Sequence, residues 1–153
     1  MFALCVVTFI WGRRSKFFYY LWLTIIDKSL AGLMKLVYHN PRPFWAEPPS
    51  QLKGFSCPTQ FGTPSTHSSA AVAASIVLIL DIFHGRSFDF NRVVFKNQFT
   101  YFICFLFAVF WILSQTVVVV FLGVHSIDQS LYGFTLGLWN GIISHFMVRD
   151  HLI

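Results

Sequence analysis

The sequence predicts an all-α fold, a polytopic transmembrane bundle of about five helices in one domain spanning residues 1–153, and three observations lead there. First, 56% of its 153 residues are hydrophobic and only 11% are charged, with 19 Phe and 5 Trp. Soluble domains carry roughly 25% charged residues, and one this small has no core able to hide so many aromatic rings. Disorder is excluded too, because it needs low hydrophobicity and high charge. Second, apolar stretches run over Phe2–Trp11, Phe17–Tyr38, Thr66–Phe83, Phe99–Val124 and Ser130–Val148. Third, the segments between them alternate in charge.

Each stretch has its own reading. A helix needs about 20 residues to cross a bilayer core, and the last four stretches qualify. Phe2–Trp11 is too short to span, and its cations follow it, unlike those of a signal peptide. It reads as the tail of a helix or as a partly embedded segment. Arg13, Arg14, Lys16, Arg86, Arg92, Lys96 and Arg149 all fall on one side if each stretch crosses once. An excess of Lys and Arg marks the cytoplasmic side. The loop His39–Thr63 and the turn near His125 then share the opposite, non-cytoplasmic face. The net charge of +5 is thus a matter of topology, and no basic patch interleaved with stacking aromatics suggests nucleic acid. Cys5, Cys57 and Cys104 have no metal-site spacing and do not form a disulfide framework.

Three polar features on that face are not required by a membrane span. Lys35 stands near the end of the second stretch, and Arg42 lies seven positions on, inside His39-Asn40-Pro41-Arg42-Pro43. Pro41 pushes Asn40 out of helical geometry, so the helix should stop there, with Lys35 and His39 on one face. A snorkelling lysine and an interfacial arginine would look the same. Thr63-Pro64-Ser65-Thr66-His67 opens the third stretch, with Thr63 expected as N-cap and Pro64 as the first helical residue. The free amides of such a first turn suit a phosphate, although an ordinary capped helix needs no ligand. Third, His125 opens the last helix. Asp128 and Gln129 lie three and four residues on, where either can fix its tautomer. A lysine, an arginine, two histidines and a helix N-terminus on one face are what holding and transferring a phosphoryl group requires. With only Glu47 and Asp128 as acids there, no metal and no cofactor are expected.

The order Lys35-x6-Arg42-Pro43, then Pro64-Ser65-Thr66-His67, then His125 with Gln129 four on, resembles the type-2 phosphatidic-acid phosphatase superfamily. That group includes lipid phosphate phosphatases, glucose-6-phosphatase and, as soluble relatives, vanadium haloperoxidases. The resemblance covers roughly Phe17 to Val148. The first motif matches fully, and in the second Thr66 stands where the family usually has glycine. The third departs further, with Val118 and Val119 at the usual Ser-Arg pair and Gln129 at the usual Asp. By this resemblance, the family's first helix or two are expected to be missing or shortened here.

By this resemblance, His125 attacks phosphorus and forms a phosphohistidine, while His67 protonates the leaving oxygen and then activates water. Lys35, Arg42, Ser65 and the amide of Thr66 hold the phosphate. Gln129, with Asp128 as a stand-in, orients His125. Lys53, the remaining cation on that face, is a candidate to replace the missing arginine. The implied function is an integral membrane phosphatase whose partners are membrane lipid and a lipid phosphate substrate. The alternative is a degenerate relative that serves as a lipid-binding or structural subunit of a membrane complex.

Overall fold

A computed structural model of the chain describes residues 14–46, 59–88 and 98–152. Phe2–Trp11, Glu47, Lys53, Arg92 and Lys96 lie outside the described residues. The rest is helical, with no strand among the described residues, as the composition predicts. Helix α1 spans Arg14–Tyr38, α2 is the short Pro43–Ala46 turn, α3 spans Thr66–Phe88 and α4 spans Gln98–Phe121. Helix α5 spans Ile127–Ile143 and continues through a π-helical turn, Ser144–Val148, into α6, Arg149–Leu152.

Three helix ends differ from expectation. His125 does not open α5, which begins at Ile127 with Ser126 as its N-cap. The chain leaves α1 after Tyr38, because His39 adopts a left-handed conformation with φ 49° and closes the helix through its N–H to the Lys35 carbonyl at 3.2 Å. His39 is therefore outside the helix and does not continue the Lys35 face. Helix α3 begins at Thr66 and not at Pro64. The Thr63 hydroxyl is taken by the Asn40 amide at 3.1 Å, and the Ser65 N–H goes to the Gln129 carbonyl at 3.0 Å. Ser65 caps the helix instead, its hydroxyl accepting the Ser68 N–H at 3.4 Å.

Helices α3 and α5 run parallel at very close range. Gly133, Gly137 and Gly141 on α5 lie against Ser65, Ser69 and Ala73 on α3, and a Cβ at Gly133 or Gly137 would collide with a backbone carbonyl. Small residues let helix backbones approach this closely. Helix α1 lies across the pair and adds Tyr19, Tyr20 and Leu23 to a core with Ala73 and Val77. Helix α4 leaves most of its length uncovered, including Phe99, Phe107, Phe110 and Phe121. Among the described residues it is the helix long and apolar enough to cross a membrane, with a mean hydropathy of 2.5. Thr66–Ile82 is a shorter apolar stretch. Helix α1 is as long as α4 but carries Asp27, Lys28 and Lys35, and α5 has 17 residues before its π turn.

At the end of the bundle away from His125, Asp81 of α3 gathers three partners. It accepts the Tyr20 hydroxyl at 2.9 Å and the Arg149 Nε at 2.6 Å, and His145 Nδ1 lies 3.7 Å away. The C-terminal turn is thereby pinned to α1 and α3.

Candidate active site

The site forms where α1 ends and α3 and α5 begin. Helix α4 stops at Phe121, and Gly123, with φ 70°, makes the left-handed turn that glycine allows without steric cost. The N–H groups of Val124 and His125 then both reach back to the Val119 carbonyl at 3.2 Å. This places His125 inside the protein, 2% exposed.

Both ring nitrogens of His125 are engaged. Nδ1 lies 3.3 Å from Gln129 Oε1, and Nε2 lies 3.3 Å from Arg42 Nη1. A guanidinium only donates, so Nε2 is the accepting nitrogen and the ring proton sits on Nδ1, donated to Gln129. The glutamine amide is itself fixed. Its Nε2 donates to the Pro41 carbonyl at 2.8 Å, and its Oε1 also accepts the Ser126 N–H at 3.3 Å. The oxygen therefore faces His125 and cannot exchange with the nitrogen. Asp128 does not share this task; it is exposed and lines the cleft outside.

Two cations are buried beside the histidine. Arg42, 4% exposed, donates Nε to the Gln60 carbonyl at 2.7 Å and Nη1 to the Val124 carbonyl at 3.1 Å. Lys35, also 4% exposed, donates to Gln60 Oε1 at 3.3 Å. Among the described residues, neither has a carboxylate within ion-pair distance. Burial, reinforced by the positive charge of Arg42, pushes the His125 pKa down to about 4; the Gln129 bond opposes this only partly. His125 is neutral at pH 7.

The second motif lies close by. His67 is exposed on the first turn of α3, within electrostatic range of His125, Lys35 and Arg42. Ser65 is fully buried, and Thr66 follows it as the first helical residue, where the amide has no intrahelical partner. An open cleft of about 340 Å³ is lined by Arg42, Pro43, Ser126, Asp128 and Gln129, among others. Val119 is buried and points inward, whereas Val118 is 47% exposed on the outer flank of α4. The position where the resemblance expects arginine thus faces the protein interior, with an apolar side chain.

Gln60 and Gly62 are missing from the sequence reading. Gln60 holds both cations, through its carbonyl and its side chain. Gly62 donates its N–H to the Asn40 carbonyl at 2.9 Å, and a Cβ there would overlap the Gln129 amide. Neither has a local signature beyond lying in a polar loop.

An all-helical scaffold that holds two buried cations beside an oriented, neutral histidine defines a class: a helical protein with a pocket suited to an anion. The sequence model of the PAP2 superfamily matches residues 16–152, and the chain belongs to that superfamily, which points to a phosphatase-like function. Neither the curated proteins nor the solved structures contain a match to this chain.

Proposed function

We propose that the chain is a multi-pass membrane phosphatase that hydrolyses a phosphorylated lipid through a phosphohistidine on His125, with its site at the non-cytoplasmic face. The observation that carries this reading is the pair Lys35 and Arg42. Two buried cations bonded only to uncharged groups are costly, and a phosphate dianion at the His125 edge supplies the missing charge. Arg14, Lys16 and Arg149 belong to the opposite end of the bundle, which supports the orientation. The uncovered phenylalanines of α4 suit lipid.

The steps follow from the positions. Lys35, Arg42 and the first-turn amide of Thr66 hold the phosphate oxygens, with Ser65 beneath them. The Nε2 lone pair of His125 attacks phosphorus, the P–O bond to the lipid breaks, and His67 gives its proton to the departing oxygen. His67 then takes a proton from water, the hydroxide attacks phosphorus, the P–N bond breaks and phosphate leaves. Gln129 keeps the Nδ1 proton in place throughout, so that Nε2 remains the nucleophile.

Val119 favours a second reading, a degenerate relative that binds lipid phosphate without turning it over. Removing a transition-state arginine costs on the order of 10³–10⁵ in rate in phosphoryl transfer. Purified protein assayed against a panel of lipid phosphates, with chelator present, separates the two. Phosphate release that vanishes in His125→Ala and is blocked by vanadate supports the enzyme. A silent wild type beside an active Val119→Arg supports the degenerate relative.

A further inference from the structure

Lys28 of α1 is a cation that the proposed chemistry does not use. It stands inside the apolar stretch Phe17–Tyr38, yet its side chain is exposed, and a charge within such a stretch calls for a function. Among the described residues, no carboxylate lies within ion-pair distance of it. Asp27, the preceding residue, faces inward. It is 1% exposed, and its Oδ1 accepts the Ser69 hydroxyl of α3 at 2.6 Å and the Asn140 amide of α5 at 3.3 Å. Successive residues on a helix do not face each other, so Asp27 leaves Lys28 free to turn outward.

The Asp27 contact fixes where Lys28 stands. Ser69 is two residues beyond His67 on α3, so Lys28 emerges from α1 beside the first turns of α3. It also lies seven residues before Lys35, two helical turns along one face. The flank of α1 that carries Lys28 is therefore the flank that brings Lys35 into the site. The charge of Lys28 reaches the exposed His67, together with those of Lys35 and Arg42. At His125 the cations that act most strongly are Arg42 and Lys35. The cations thus divide, with Arg42 and Lys35 at the nucleophile and Lys28 beside the group that meets the departing oxygen.

In a lipid monophosphate the departing oxygen leaves as a neutral alcohol once His67 has protonated it, and a cation there has nothing to hold. A lipid diphosphate differs. His125 attacks the terminal phosphorus, the bond from that phosphorus to the bridging oxygen breaks, and His67 gives its proton to the bridging oxygen. The leaving group is then a lipid monophosphate, which still carries negative charge on its other oxygens, and a cation at that end stabilises it. Water hydrolyses the phosphohistidine as before. We propose that Lys28 forms a leaving-group subsite beside His67, and that the site takes a lipid diphosphate in preference to the monophosphate. The subsite rests on the phosphatase reading given above and adds to it a residue that selects the substrate class.

The test compares the monophosphate and the diphosphate of one long-chain alcohol, by initial rates of phosphate release from the detergent-solubilised full chain. The wild type should favour the diphosphate in kcat/KM. Lys28→Ala removes an exposed side chain and should fold as the wild type does. It should lower the preference by about 10–100-fold, the worth of a hydrogen bond between charged groups. Lys28→Arg, which keeps the charge, should restore most of the preference, and Lys16→Ala, near the opposite end of α1, should keep it within about twofold. A wild type that favours the monophosphate overturns the subsite while the phosphatase reading stands, and so does an unchanged preference in Lys28→Ala. If the wild type releases phosphate from neither substrate, the phosphatase reading fails, and saturable shifts of the melting temperature by inorganic pyrophosphate and inorganic phosphate decide on the subsite. Tighter binding of pyrophosphate that is lost in Lys28→Ala upholds it in a non-hydrolysing relative; equal or absent binding of the two anions overturns it.

Discussion

The two ends of the bundle handle buried charge in opposite ways. At the α6 end, Asp81 meets Arg149 at 2.6 Å, with Tyr20 and His145 around it. Anion and cation cancel, and the cluster closes the structure. At the His125 end, Lys35 and Arg42 are as deeply buried but bond only to uncharged groups, amide and carbonyl oxygens and the neutral ring of His125. The first arrangement is complete in itself, as a structural ion pair is. The second becomes neutral only when an anion arrives, as a binding site does. Burial of charge alone does not separate scaffold from site; whether the partner charge is supplied by the chain does.

Substitutions should separate the two ends by what they damage. The largest expected effect is His125→Ala, which removes the proposed nucleophile and should lower phosphate release by at least about 10³-fold while the protein still folds; retention of a tenth of the activity would break the reading. Arg42→Met comes next, with an expected loss of about 10²–10³ in kcat/KM, read from initial rates on a lipid phosphate. At the other end, Asp81→Asn removes the carboxylate that Arg149 meets at 2.6 Å and should cost about 2 kcal/mol of stability, visible as a lower melting temperature with kcat within about twofold of wild type. Gly62→Ala, which pushes the new methyl into the Gln129 amide, should cost about 1–3 kcal/mol and lower kcat as well, a mixed signature neither end alone produces. The remaining test is pH. Because the His125 pKa is depressed to about 4, the unfolded chain takes up the proton first as pH falls. Stability contributed by this group is therefore intact above about pH 6.5 and is lost progressively between there and about pH 4. Activity limited by His125 should have its acid limb near pH 4, so a limb at pH 6.5 that disappears with His125 would contradict the burial argument.

What the sequence discloses divides along the same physical line. The helical class was legible because hydropathy acts over whole segments, and Lys35, Arg42, His67 and His125 fall at one end of the bundle; the helix ends beside them were not. Helical spacing left Asp128 and Gln129 both open as the partner of His125, the resemblance favoured Gln129, and Gln129 is the one that meets the ring. The cap at Ser65 was not legible, because the competing bonds at Thr63 and Ser65 come from Asn40 and Gln129, distant in the chain. Gln60 and Gly62 act through tertiary contacts that leave no local pattern. The glycines at 133, 137 and 141 did carry a signal, a four-residue repeat of small residues that marks a close helix seam. Asp27 is an acid inside an apolar stretch, but nothing local shows its environment, because its partners Ser69 and Asn140 come from two other helices.

Gln129 has one more consequence, a matter of charge arithmetic. The resemblance places an arginine at position 119 and an aspartate at position 129, and here both are neutral, as Val119 and Gln129. One positive and one negative charge have left the pocket together. Lys35 and Arg42 still contribute two positive charges, the match for a phosphate dianion over a neutral histidine. The two replacements form a compensated pair, and restoring either charge alone would shift the pocket away from the two positive charges that Lys35 and Arg42 give it.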